Sequence, residues 1–354
     1  MENEPNSRPI RVKFMTKAPA SDKREYFLQM FPGGKPEWGR CQFIFDQLER
    51  DYDWMVVYDD MPSVSGERFT LWEEALACPR EHTMLITSEP STIKTYGHHF
   101  HRQFGHVLTS QEPWAIRHPG AIYAQTGMVW FYGKLGRAAS YDYLLEHCPT
   151  EKTHEVSTVC SSKRQKHTLH NKRYAFSKWL QERLPQMEHY GHGVRYIDDK
   201  SDALDYFKYH LTIENHYCAH HWTEKLADCY LGLCLPLYYG CPNLADYFPE
   251  ESFVPIDLFN YEESLEIIQR VIRDKEYEKR LPAIKEARRL YLEKYCTFAN
   301  LSGLIERLHQ PARVTQAGVN ILSRHALRRS SLLQACSFGV EKFSAQVRHK
   351  LGLG

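Results

Sequence analysis

Short apolar runs alternate with stretches of helical periodicity along nearly all of the chain. In the first half the runs predict strands at 10–15, 54–58, 84–87 and 107–109, with an amphipathic helical segment at 40–50. A link rich in Trp and Tyr follows near 128–133. The alternation then resumes, with strands at 156–161, 194–197, 211–213, 235–239 and 253–256 and helices at 173–184, 223–232 and 261–272. Strand–helix alternation argues for parallel sheets of the α/β class. At 354 residues the chain has room for two such units of roughly 150 residues each. The expected boundaries are 1–150, 151–310 and a separate tail, 311–354.

Composition changes this picture mainly at the tail. Residues 311–354 hold seven Lys/Arg and one acid, Glu341, which leaves 38 basic against 43 acidic residues for the rest. Val340, Phe343, Val347 and Leu351 recur there at helical spacing. A basic amphipathic helix of that kind either lies on an anionic membrane surface or docks on its own protein. The overall charge of +1 gives no bulk field for nucleic acid. The ten cysteines form no CxxC pair, as expected of reduced thiols in a cytosolic protein. The N-terminus has no secretory h-region, and no apolar run reaches the ~18–20 residues of a membrane span. A cytoplasmic location, including the inner face of the cell membrane, is the expectation.

The candidate chemistry centres on 214–226, "ENHYCAHHWTEKL". Three histidines and a cysteine in six positions suggest a metal, but structural zinc sites draw ligand pairs from two chain segments. All four potential ligands here sit in one hexapeptide, so no metal site is assigned. "YGHHFHRQ", with His98, His99 and His101, has the same weakness. Dinucleotide and P-loop fingerprints are absent, and "FPGGKPEWG" reads as a plain loop. The flanks are more informative. Glu214 and Asn215 end a predicted strand, the edge where α/β sheets bind ligands. A helix starts near Thr223, with Thr223 or His221 as its cap, and its free N–H groups suit a diphosphate. Lys225 adds a charge for that diphosphate, and Glu224 is placed to accept from two ribose hydroxyls. Asp59-Asp60 at another strand end reads as a bland structural pair, or as an acceptor contact.

The run "YHLTIENHYCAHHWTEKLADCYLGLCLPLYYGCPNLADYFPEESFVPIDLF" resembles the C-terminal signature of the α-1,3/4-fucosyltransferase family, glycosyltransferase family 10, in a bacterial-type form. The resemblance implies a GT-B-like α/β architecture of two Rossmann-like domains facing across a cleft. The first would bind the acceptor and the second the nucleotide sugar. It also implies an inverting transfer of L-fucose from GDP-fucose to a sugar hydroxyl of a cell-surface glycan. It places Glu224 on the donor ribose, Lys225 on the diphosphate, Asn215 near the phosphates and Glu214 beside the donor sugar. Arg173, before Tyr174-Ala175-Phe176, matches the family's diphosphate-binding arginine, with Arg164 and Lys172 as competing assignments. Glu89, in "LITSEPSTI", matches the strand-terminal glutamate that serves as general base.

The implied partners are a GDP-sugar donor, a glycan acceptor and, through the tail, a membrane surface. No dedicated cofactor site is expected, with Mn2+ or Mg2+ as a counter-ion to the diphosphate the open alternative. The chain departs from the family pattern at His216 and His221, which leaves a different nucleotide sugar as the nearest rival. A non-catalytic carbohydrate-binding protein and a zinc-dependent hydrolase are the rivals from other classes.

Overall fold

The structure, a computed structural model, describes residues 8–17, 20–63, 69–134, 137–162, 168–310 and 319–353. The chain forms two units, 1–126 with 298–354 and 127–297. The first unit therefore ends before residue 150 and takes back the tail expected to stand apart. Phe298 is the reason. It stacks on Phe31 with ring centroids 4.1 Å apart and packs edge-on against Phe14, Phe27 and Phe43. A returning segment that completes an aromatic core of the first unit cannot belong to the second.

The first unit is built on a seven-stranded sheet. Its strands are β1 (Ile10–Thr16), β2 (Glu37–Trp38), β3 (Cys41–Ile44), β4 (Trp54–Tyr58), β6 (Thr83–Thr87), β7 (His106–Thr109) and β8 (Ala121–Tyr123); β5 (Glu73–Ala75) pairs instead with Asn320–Leu322. The order is β2-β3-β1-β4-β6-β7-β8, parallel throughout except for β2. The helix expected at 40–50 is absent, and β3 stands in its place. Cys41, Phe43 and Phe45 are buried while Gln42 and Ile44 are less so, which is a period of two rather than 3.6. The central strands are buried on both faces, and their continuous apolar runs follow from that. Lys13 is the exception: wholly buried, its Nζ lies 2.7 Å from Glu74 Oε1.

The second unit has an all-parallel sheet of β11 (His154–Val159), β12 (Met187–Tyr190), β13 (Phe207–Ile213), β14 (Leu235–Tyr239) and β15 (Val254–Pro255), in the order β12-β11-β13-β14-β15. Two short strands, β9 (Gly133–Lys134) and β10 (Arg137–Ala138), form a separate pair. The strand expected at 194–197 is a turn region in which Val194 and Tyr196 face solvent. The edge strand lies earlier, at β12, where Glu188 and His189 interrupt the apolar signal. Helices α4 (His170–Arg183), α5 (Glu224–Leu231), α6 (Tyr261–Arg273) and α7 (Glu276–Leu290) connect these strands or follow them. Trp222 fixes the start of α5 by packing against Phe248 and Tyr295, at centroid distances of 5.1 and 6.0 Å. None of the ten cysteines is in a disulfide.

In the second unit the chain goes from β11 out to β12, then back across to β13. The strand order thus reverses between β11 and β13. Open α/β sheets bind ligands at such a switch point, outside the carboxyl ends of the strands.

Candidate functional site

A cavity of about 250 Å³ opens at that switch point. Val159 and Ser161 come to it from the end of β11, and His210 to Ile213 and Asn215 from β13. Arg173 reaches it from the first turn of α4, and Glu224, Lys225 and Asp228 from α5. Thr223 is the N-cap of α5, its hydroxyl accepting from the Lys225 N–H, so the capping role falls to Thr223 and not His221.

Arg173 is buried, and one of its Nη atoms donates to Asn215 Oδ1. Its Nε has no hydrogen-bond partner. A buried guanidinium with an unused N–H suits an anionic acceptor, because leaving such a donor unmade is expensive. Lys225 Nζ donates to Thr223 Oγ1 at 2.9 Å and to Glu224 Oε1 at 3.0 Å. Burial works against the Glu224 carboxylate, but the Lys225 and Lys200 charges outweigh it and hold its pKa down to about 2. Burial likewise opposes the Lys225 ammonium, yet the Glu224 and Glu214 carboxylates raise its pKa above the ordinary lysine value. Glu224 is thus held as a carboxylate acceptor and Lys225 as a cation.

Glu214 sits elsewhere than expected. It is wholly buried, with Oε1 accepting from the Thr223 N–H at 2.8 Å and Oε2 from the Thr223 hydroxyl at 2.7 Å. It does not line the cavity. Both oxygens hold the start of α5 in place, so Glu214 is a positioning residue and not a group beside the donor sugar. Gly240 on the neighbouring strand makes room for it, since a Cβ there would come within 2.5 Å of Glu214 Cγ. His221 is also displaced from its expected role. It is buried edge-on against His216, ring centroids 5.7 Å apart, and is not among the cavity's lining residues. His220 bonds the Tyr247 hydroxyl at 2.7 Å, so these histidines shape the loop. Lys172 lies over the Phe259 ring at 3.8 Å, away from the cavity, and Arg164 lies outside the described residues.

Two lining residues escaped the sequence reading. Lys200 Nζ meets Asp228 Oδ2 at 2.6 Å, and Asp228 Oδ1 accepts from the Phe131 N–H at 2.9 Å. Asp228 lies four residues after Glu224 and so shares its helix face, a signal that was available. Lys200 comes from an irregular segment with no periodicity to find it by. His210, mid-strand in β13, bonds Ser157 Oγ at 2.8 Å. Burial, and then the Lys200 charge, lower its pKa to about 3. The carboxylates that line this cavity are thus each tied to a lysine, Glu224 to Lys225 and Asp228 to Lys200. Arg173, Lys200 and Lys225 are the cations that line the cavity.

Glu89 belongs to the first unit. It is exposed, two residues past the end of β6. Its N–H donates to the Tyr96 hydroxyl at 3.3 Å, and its carbonyl accepts from Gln111 Nε2 at 2.7 Å. Asp59 is tied to Lys94 and Tyr96, at 2.5 and 2.6 Å, and buried Asp60 to Arg324 at 2.9 Å, so both read as structural.

Two doubly wound α/β units, one with a cationic cavity at its switch point, define the GT-B class of glycosyltransferase folds. The crystal structure of an α1,3-fucosyltransferase superposes with a TM-score of 0.53 at 14% identity, covering 89% of this chain and 94% of that one. Residues 149–291 match the model of glycosyltransferase family 10 (fucosyltransferase), C-terminal part. The α-(1,3)-fucosyltransferase FucT of Helicobacter pylori is 32% identical over 74 residues, 21% of this chain and 16% of that relative's length. Arg173, Asn215, Glu224 and Lys225 all fall inside the family match. Glu89 lies outside it.

Proposed function

We propose that the chain transfers L-fucose from GDP-fucose to a sugar hydroxyl, with inversion and in an α-1,3-type linkage. The carrying observation is the switch-point cavity, where Arg173 presents an unused N–H beside Asn215, Lys225 and the start of α5. The match of residues 149–291 to the fucosyltransferase family model supports fucose as the sugar. In the proposed reaction the acceptor oxygen forms a bond to the anomeric carbon as the bond from that carbon to the diphosphate breaks. GDP leaves with the electron pair, and Glu89 takes the hydroxyl proton as general base. The transition state is oxocarbenium-like, with negative charge growing on the leaving diphosphate. Arg173, Lys225 and the α5 N–H groups stabilise that charge electrostatically. Glu214 acts indirectly, by holding Thr223 and with it the start of α5. The altered loop with His216 and His221 keeps another GDP-sugar as the competing donor.

Calorimetry with GDP, UDP and CMP tests the donor site. GDP is expected to bind, and Arg173→Ala or Lys225→Ala to weaken it about 10–100-fold, the range for losing a charge-assisted hydrogen bond. Unchanged GDP affinity in both variants removes the assignment.

The acceptor is proposed to be a lipopolysaccharide or capsule glycan at the inner face of the cell membrane. No helix among the described residues is long and apolar enough to cross a membrane. The terminal helix, Leu332–Lys350, docks one face on the first unit: Glu341 accepts from the His98 N–H at 2.8 Å, and Arg348 lies over the Trp114 ring. Its opposite face exposes Leu332 and Phe343, with Leu351 just beyond its end. That stripe lies beside Lys342 and Lys350, and an anionic bilayer complements it. Vesicles containing phosphatidylglycerol should sediment the protein, phosphatidylcholine vesicles should not, and Phe343→Glu should abolish the effect. Equal partitioning to both lipids ends the charge argument.

A further inference from the structure

A sizeable cavity in the first unit is unassigned. It measures about 440 Å³, within the ~300–1,000 Å³ of small-molecule sites, and lies past the carboxyl ends of β6 and β7. Ser91, Lys94, His98, His101, Gln111 and Trp114 line one side, and Val340, Ser344 and Ala345 of the terminal helix close the other. Two of its polar atoms are buried without partners, His101 Nδ1 and Trp114 Nε1, and His101 is only 2% exposed. The cations at the cavity are largely engaged or exposed. Lys94 is held by Asp59 at 2.5 Å, Arg117 is exposed, and the Glu341 carboxylate accepts from the His98 N–H at 2.8 Å and the Ser337 hydroxyl at 3.1 Å. What remains is an indole edge, neutral hydrogen-bonding groups and small apolar side chains. Such a lining suits a ring that carries both hydroxyl donors and acceptors.

We propose that this cavity is a subsite for an uncharged sugar unit of the acceptor glycan, with the terminal helix as one of its walls. The proposal rests on the transferase reading above. It is supported by continuity with the general base, because Gln111 Nε2, at the cavity, donates both to the Glu89 carbonyl at 2.7 Å and to the Lys94 carbonyl at 2.9 Å. The indole N–H and the His101 nitrogen are satisfied by sugar hydroxyls. Glu341 accepts from another hydroxyl and disfavours anionic sugars. The tail thereby belongs to the active unit and sets which glycan is admitted.

The test is saturation-transfer NMR on the full chain with the methyl glycosides of galactose, N-acetylglucosamine and glucuronic acid, with GDP calorimetry run in parallel. At least one of the two uncharged glycosides is expected to receive saturation. Trp114→Phe, which keeps the ring and loses the N–H, should weaken it about five- to tenfold. Ser344→Trp, at an exposed helix position, should block it by filling the mouth. GDP affinity should stay unchanged in both variants, which also shows that they are folded. Equal glycoside binding in wild type and both variants overturns the subsite, as does a response from glucuronide alone. Absence of any glycoside signal while GDP binds overturns the subsite and leaves the transferase reading intact. Glycoside binding without GDP binding retains the sugar pocket and removes the donor site.

Discussion

The two sheets share a parallel architecture but use their switch points differently. In the second unit the gap between β11 and β13 receives Arg173, Lys225, Lys200 and the start of α5, and a charged cavity results. In the first unit the corresponding reversal lies between β1 and β4, where Asp59 and Asp60 are consumed by Lys94, Tyr96 and Arg324. Its cavity lies two strands along, past β6 and β7, and is lined mainly by neutral groups. One fold class therefore yields a cavity lined by several charged groups in one unit and a mainly neutral one in the other. The side chains that fill the switch point decide between them.

The sharpest way to break this comparison is through Glu89. If the first unit supplies the base and the second the nucleotide site, Glu89→Gln should lower turnover by about 10²–10⁴ and leave GDP affinity unchanged. Near-normal turnover would dismiss Glu89; a parallel loss of GDP binding would show that the two roles are not divided.

A second break tests whether the units are energetically separable. Lys13 and Glu74 form a buried ion pair in the first unit, with Trp72 Nε1 donating to Glu74 Oε2 at 3.0 Å. Glu74→Ala leaves the Lys13 ammonium buried and unpaired, which costs about 3–5 kcal/mol. Urea unfolding should show that loss. GDP calorimetry on the surviving fold should show none. Replacing both residues by apolar ones of similar volume should recover much of the stability, and failure to recover it would place the pair in a wider network.

How much of this was legible in the sequence differs between the units for the same physical reason. Strands 54–58 and 235–239 are continuous apolar runs, and both were read to the residue. β3 and β12 are short, near the edges, and interrupted by polar residues, so their period of two was outweighed by other patterns. The donor residues Arg173, Asn215, Glu224 and Lys225 sit in a local signature, and the cavity gathers all four. Lys200 was not legible because its partner, Asp228, is brought to it only by the tertiary fold. Glu214 was misplaced because sequence order cannot tell which way a strand-terminal carboxylate turns, towards ligand or towards its own helix. The stripe of Val340, Phe343, Val347 and Leu351 was read correctly as helical. Its exposure was not visible, since a periodic apolar face looks the same whether it is packed or bare.

The smallest expected effect is a pH dependence that both units share. His210 in the second unit and His101 in the first are buried, and each has its pKa lowered to about 3. Burial is the larger cause in both. The Lys200 charge adds to it at His210, and the neighbouring histidines and Arg102 add to it at His101. In the unfolded chain a histidine titrates near 6.5. Between about pH 6.5 and 3 the unfolded state therefore binds protons that the folded state refuses, and stability falls as pH falls through that window. Above pH 6.5 neither residue contributes a slope. His210→Asn keeps an acceptor near Ser157 Oγ and cannot titrate, so it should flatten the acid limb of the stability profile while leaving its neutral plateau nearly level. The His101→Asn change should do the same, independently, because the two residues sit in separate units and share no partner. Urea midpoints measured at pH 7, 5.5 and 4.5 read the effect. Slopes that add in the double variant support two separate buried sites. A slope that survives both substitutions would assign the acid sensitivity to other histidines whose pKa burial lowers, such as His82 and His189, since Glu224, with a pKa of about 2, adds its loss only below about pH 4.5.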